Sequence, residues 1–254
     1  MVELPFKENI LKVVIFAPHH RSRVALDLIA LLLDHGHEVN HIYVKKITQN
    51  RIWQELRRDG FHVIYKKVIW KALVPYFKSR SLFHKNSMEE LKVSSLKRLN
   101  SIDYTEVREF RNIPNLELAD VVLFCGGGYV YKSVLDRIPV INCHMGILPL
   151  YRGMDVVEWP IWKKDWENIG LTIHYMVTEI DMGNILFKHY IKARDFSTIV
   201  DVRYHMLKIM PKLLFESLTY LNNEGKVQLK SDGELYFKMS KALRKETEKI
   251  FNAN

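Results

Sequence analysis

The stretch Val140-Ile-Asn142-Cys-His144-Met-Gly146-Ile-Leu-Pro149-Leu-Tyr151-Arg152-Gly153 sets an amide, an imidazole, a Leu-Pro step and a Tyr-Arg-Gly turn directly after a β-forming run. Residues two apart on an extended strand project to the same face, so Asn142 and His144 can aim into one site. An imidazole can take a proton from an attacking amine and return it to a leaving group near neutral pH. A side-chain amide can donate to an oxygen that gains negative charge when a nucleophile adds to a carbonyl carbon. Further along, Thr172 and His174 share one strand face, and Asp181 lies in an Asp-Met-Gly turn. A carboxylate beside His144 would stabilise the imidazolium and could order a water for proton shuttling. No Gly-x-Ser-x-Gly elbow is present, so a serine acyl-enzyme has no local support. The set suits direct acyl transfer to an amine. Taken singly, each residue also has a plainer role: Asn142 as a strand-end turn residue, His144 as a satisfied interior histidine, Asp181 as a turn former.

The elements that must position these groups follow from periodicity. Leu11 to Ala17 is a β-branched run of strand length, closed by Pro18, and Glu38 to Val44 alternates like a second strand. Between them, Val24, Leu28, Leu31 and Leu32 recur at helical spacing, Ser22 is placed to cap the helix, and His35-Gly36 ends it. Strand, helix and strand in that order predict a βαβ unit, hence an α/β fold with a mostly parallel sheet flanked by helices. A short helix over 51–60 and a strand near 61–65 are expected next. The segment 66–100 is a basic insert in which Trp70, Leu73, Tyr76 and Phe77 form an apolar stripe among lysines. That stripe can pack on the protein's own core or lie on a membrane or another chain.

Asp120 to Cys125 is a buried-type strand running into Gly126-Gly-Gly128, where a backbone can approach a ligand closely, although the Gly-x-Gly-x-x-Gly dinucleotide spacing is absent. A helix is expected over 197–221 with Pro211 as a kink or break, then a hairpin over 225–237 and a polar helix over 241–251. Residues 1–205 read as a catalytic domain and 206–254 as a C-terminal extension. The 254 residues carry 38 Lys+Arg against 29 Asp+Glu, a net charge of +9, which favours phosphate-bearing partners without choosing among them. No apolar run approaches the ~18–20 residues that span a bilayer, and the first residues lack the pattern of a secretory leader. Two cysteines, Cys125 and Cys143, form no disulfide framework or metal pattern, and a cytoplasmic setting is expected.

The run from Asn142 to Gly153, followed by Trp159-Pro-Ile161, resembles the signature of the folate-dependent formyltransferases. Their pattern is Asn-x-His-x-(Ser/Gly)-Leu-Leu-Pro-x-Tyr-Arg-Gly, then a strand with Thr-x-His, then Asp-x-Gly. This chain supplies Thr172, His174, Asp181 and Gly183 in that order. The resemblance spans roughly residues 10 to 190 and is dense from 120 to 186. It implies a Rossmann-like formyltransferase fold, Asn142, His144 and Asp181 as catalytic residues, and N10-formyltetrahydrofolate as formyl donor, with no metal. The pterin would sit near Gly128, Tyr129, Val130 and the turn that presents Asp181, held largely by backbone groups. Thr172 and His174 would stand behind the site, His174 supporting the aspartate or its water.

The acceptor amine is set less firmly. Arg21 and Ser22 could bind phosphate at a helix N-terminus, although simple capping by Ser22 fits equally well. Tyr151 and Arg152 could touch substrate, or be structural with Arg152 paired to a buried carboxylate. Ala17-Pro-His-His-Arg-Ser22 departs from the Gly/Ser-rich phosphate loop of glycinamide ribonucleotide enzymes. The segment after Leu221 is shorter than the C-terminal barrel of methionyl-tRNA enzymes. A nucleotide-linked amino sugar remains as the expected acceptor by elimination, with no nucleic acid partner and a possible homodimer. A non-catalytic homologue using its basic surface for RNA or membrane is the alternative of another class.

Overall fold

The computed structural model describes residues 10–19, 22–46, 102–126, 128–221 and 233–253. Strand β1 (Lys12–Ala17) is buried on both faces, as expected for a continuous apolar run in the middle of a parallel sheet. Helix α1 (Arg23–Asp34) begins where the Ser22 hydroxyl accepts from the Ala25 N–H, satisfying one of the orphan donors of the first turn. It returns the chain to β2 (Glu38–Lys45), which pairs parallel to β1. Then come β3 (Tyr104–Val107), β4 (Val121–Phe124), the short helix α2 (Lys132–Leu135) and β5 (Val140–His144). After β6 (Tyr151–Gly153) and α3 (Glu158–Trp162), strands β7 (Gly170–Tyr175) and β8 (Ile185–Tyr190) complete the sheet. The rest is α4 (Ile199–Glu216), β9 (Glu234–Tyr236) and α5 (Lys241–Asn252).

The seven-stranded sheet runs β3-β2-β1-β4-β5-β7-β8. Its pairings from β3 through β5 are parallel, and β7 and β8 are added antiparallel. This is the α/β, mostly parallel architecture that the alternation of strand and helix predicts. Alternation along each strand splits the core between the two faces. Val13, Ile15, Leu123, Ile141 and Cys143 pack with Leu28 and Leu32 of α1 and with Val202, Met206 and Leu214 of α4. Val14, Phe16, Val122, Phe124 and Val140 face the other way, onto Phe110 and Leu116. Because β5 is covered on both faces, the strand that carries Asn142 and His144 is anchored along most of its length.

In the C-terminal third the structure bears on three expectations. Pro211 neither breaks nor ends α4, which continues from Ile199 to Glu216 with Pro211 buried beside Met210, Leu213 and Leu214. Packing of that face outweighs the missing N–H. The boundary expected at residue 205 falls inside this helix, whose Val202, Met206 and Leu214 belong to the main core. Of the expected hairpin only β9 lies among the described residues, and it pairs parallel to β6. The expected helix over 51–60, the strand near 61–65, the insert 66–100 and Arg21 lie outside the described residues.

Gly153 permits the β6–β9 contact. Its φ of +93° lies in the region L side chains avoid, and a Cβ there would run into the Tyr236 carbonyl. Gly153→Ala is therefore expected to destabilise by more than the ~0.4–1 kcal/mol that a Gly→Ala change contributes where alanine fits the backbone. Chemical denaturation checks this, and an unchanged midpoint would show that β9 does not bear on β6.

Candidate active site

Strand β5 ends at the site. Asn142 and His144 project to one face, as their spacing predicts, and β7 lies antiparallel beside them with Asn142 opposite His174 and His144 opposite Thr172. After β7 the chain turns through Thr178 to Gly183 and returns as β8, which brings Asp181 back over the strand ends. Gly183 is required there, since a Cβ would collide with the Tyr175 carbonyl. Asp181 itself holds φ at +54°, left-handed backbone that an L residue seldom adopts and that carries a cost on the order of 1–3 kcal/mol.

The result is a polar cluster of four side chains. His144 Nδ1 lies 3.5 Å from Asp181 Oδ2, and the Asn142 side-chain nitrogen lies 3.1 Å from His174 Nε2. The His174 tautomer follows from its contacts. Its Nδ1 is 2.8 Å from the Tyr175 carbonyl, which can only accept, so Nδ1 carries the hydrogen and Nε2 accepts from the Asn142 amide. Burial first, and then the neighbouring His144, depress the His174 pKa to about 4 against the attraction of Asp181. The 3.8 Å approach of His174 Nε2 to Asp181 Oδ1 is thus a contact with a neutral ring near pH 7, not an ion pair. His174 was expected to support the aspartate or its water; its ring accepts from the Asn142 amide, and the same Nε2 lies 3.8 Å from Asp181 Oδ1.

Both nitrogens of His144 face protein acceptors. Nε2 donates to the Tyr151 carbonyl at 2.9 Å, and Nδ1 faces the carboxylate. Asp181 Oδ2 in turn accepts from the Gly153 N–H at 2.8 Å. Thr172 works on the connecting loop: its hydroxyl donates to Gly146 O at 2.7 Å and accepts from Leu148 N at 3.0 Å. Behind the strand, burial pushes the Cys125 thiol up to about 12 and raises Cys143 as well. Neither is a thiolate near neutrality, so Cys143 is no nucleophile despite its place between Asn142 and His144.

Other expected contacts lie elsewhere. Ser22 is buried and its hydroxyl caps α1, the plainer of its two expected roles. Tyr151 is buried, stacks on Tyr236 with centroids 5.3 Å apart, and donates its hydroxyl to Asp165 at 2.7 Å. It is structural through its side chain. The Arg152 guanidinium binds backbone carbonyls of Ile180 and Gly233 rather than a carboxylate. Gly128 (φ +115°) and the half-exposed Tyr129 flank the site, the Tyr129 hydroxyl donating to Thr178 O at 2.8 Å and so tying the glycine loop to the Asp181 turn. Val130 contributes only backbone here, its side chain being buried against Phe110. Lys45, which sequence reasoning passed over, ends β2 with its ammonium against Gly128. Its place at the C-terminal end of a parallel strand next to a glycine loop was the available signal.

Residues 113–218 match the family model described as formyl transferase. That span carries Asn142, His144, His174 and Asp181. The chain is thus similar to that family over less than half of its length. It is 34% identical over 100 residues to a methionyl-tRNA formyltransferase of Borrelia garinii, covering 39% of this chain and 31% of that one. It therefore spans about a third of the length of the curated relatives it matches. The domain shares its fold with a 4-N formyltransferase of Francisella tularensis at TM-score 0.57 and 16% identity, over 95% of this chain and 86% of that one. A sugar N-formyltransferase of a Shewanella species aligns at TM-score 0.54 and 18% identity, over 94% and 87%. A glycinamide ribonucleotide transformylase of Symbiobacterium toebii aligns at 0.53 and 14%, over 85% and 90%. Among the described residues no helix is long and apolar enough to cross a membrane.

His174 gives a pH signature. Its folded pKa of about 4 lies below the ordinary 6.5, so between those values the unfolded chain binds the proton that the folded site refuses. Stability contributed by the neutral ring is present above pH 6.5 and is lost as pH falls toward 4. Urea unfolding of the wild type should weaken more steeply across this window than that of His174→Gln, which cannot titrate. Parallel curves would mean that His174 is protonated in the folded protein.

Proposed function

We propose that this domain transfers a formyl group from N10-formyltetrahydrofolate to a primary amine, the acceptor being the amino group of a nucleotide-linked amino sugar. The observation that carries the reading is the joint geometry of an oriented amide donor and an imidazole–carboxylate pair at one strand end. The donor supplies a formyl carbon on N10. The amine nitrogen forms a bond to that carbon, the carbon–N10 bond breaks, and one proton passes from the amine to N10.

Asn142 spends one N–H on His174, which leaves its second N–H to meet the formyl oxygen as negative charge develops there. His174 keeps the amide from turning over, because only a neutral ring with its hydrogen on Nδ1 can accept from it. The His144 ring is oriented by the Tyr151 carbonyl, so a proton taken from the amine is held at Nδ1, where the Asp181 carboxylate stabilises the cation. The same site returns it to N10. Between the glycine loop and the Asp181 turn, backbone groups and the Tyr129 bridge offer a wall for a flat heterocycle. A Cβ on Gly126 would meet nothing within 4 Å, which fits an open approach on that side.

The acceptor rests on weaker support. The fold likeness extends over most of the Francisella and Shewanella enzymes, whereas the sequence match to methionyl-tRNA enzymes covers a third of their length. The net charge of +9 suits a pyrophosphate-bearing substrate. Identity with the methionyl-tRNA enzymes favours a second reading, in which charged tRNA is the acceptor.

Tetrahydrofolate release should be followed with nucleotide-linked amino sugars, glycinamide ribonucleotide and methionyl-tRNA as acceptors. Turnover with an amino sugar alone is expected, and turnover with tRNA alone would replace this acceptor by the second. Asn142→Ala should lower kcat by about 10²–10³, the usual cost of losing an oxyanion donor. His144→Ala should cost about 10²–10⁴. Full activity in His144→Ala would end the catalytic reading.

A further inference from the structure

The geometry points to Arg152 as a positioning residue for Asp181, gripping the backbone just before the carboxylate and anchored at Gly233, directly before strand β9, rather than as a substrate contact. This rests on the formyl-transfer reading for its kinetic consequence, but the contacts stand by themselves. Arg152 Nε and Nη2 both donate to Ile180 O, at 3.2 and 3.0 Å, and Nη1 donates to Gly233 O at 3.2 Å. A guanidinium presents its donors in a rigid planar fork, so satisfying two carbonyls at once fixes both segments relative to β6. Among the described residues no carboxylate lies within ion-pair distance of Arg152, so its charge is spent on carbonyl dipoles.

What the fork holds is a strained turn. Ile180 directly precedes Asp181, whose left-handed backbone would relax if the turn were free. The neighbouring residue of the same strand completes the grip, since the Gly153 N–H donates to Asp181 Oδ2 at 2.8 Å. Gly233, the second anchor, is itself wedged against the Pro149 carbonyl, where no Cβ would fit. Strand β9 extends this anchor by pairing with β6 at Tyr151, Arg152 and Gly153. The segment after α4 therefore reaches the catalytic carboxylate through one side chain, without contributing a catalytic group.

The test uses the full chain with Arg152→Ala and Arg152→Lys, checked for folding by thermal melting. In Arg152→Ala, kcat should fall by about 10²-fold, the scale of a misplaced catalytic group, with KM for the acceptor and donor within about twofold of wild type. Arg152→Lys, which keeps the charge but loses the fork, should recover only a minor part of kcat, and added guanidinium should restore more of it to Arg152→Ala. An increase in KM with kcat unchanged would make Arg152 a substrate contact and overturn the proposal, as would unchanged kinetics. The imidazole ¹⁵N resonances of His144, read without substrate, should move in Arg152→Ala as the Asp181 carboxylate leaves Nδ1. Unchanged resonances in a folded variant also overturn it. If the wild type formylates no amine in the panel, the function fails while the resonances still decide the role of Arg152; should Arg152→Ala not fold, Arg152→Lys is read in the same way.

Discussion

The site depends on a three-residue strand that holds an imidazole and a carboxylate against each other. Along β6, the Tyr151 carbonyl takes the His144 Nε2 hydrogen, the Arg152 guanidinium holds the turn before Asp181, and the Gly153 N–H takes the carboxylate itself. Each contact alone is an ordinary hydrogen bond, with a net worth of about 1 kcal/mol. In series they fix which ring nitrogen of His144 faces Asp181. An imidazole that could flip would lose the side on which its proton is stabilised, so orientation matters more here than affinity.

A second constraint is burial. Strands β1, β4 and β5 are covered on both faces, which gives the strand that carries Asn142 and His144 a rigid floor and takes His174 almost wholly out of water. The low-dielectric setting keeps that ring neutral, and neutrality lets it accept from Asn142. Hydrophobic packing and the hydrogen bonding of the amide are thereby linked: the ring next to Asn142 holds its tautomer because the core excludes solvent.

The same packing explains why one chain end matters to the site. Tyr151 and Tyr236 stack, Lys163 reaches both Glu234 and the Tyr236 hydroxyl, and Asp155 binds the Met239 N–H and Arg244. These contacts hold β9 and α5 on the loop that follows β5. The first unit thus extends through α4 into the sheet's core, and the segment beyond it braces the site's frame.

Much of this was legible in the residues. The period of the apolar positions placed β1, α1, β2 and the buried β4 and β5, because local periodicity reports directly which face is covered. The spacing of Asn142, His144, Thr172, His174 and Asp181 pointed to one candidate site, since residue type sets what each group can donate or accept. Pairings between distant segments were not legible. That β9 would pair with β6 and that the His174 ring would accept from the Asn142 amide both depend on which surfaces meet after folding. Arg152 shows the difference most plainly: the sequence determined a cation in the Tyr-Arg-Gly turn beyond the buried strand β5, and only the tertiary structure decided that its charge would be spent on two backbone carbonyls, because the turn and the tail had to be brought within reach of its fork.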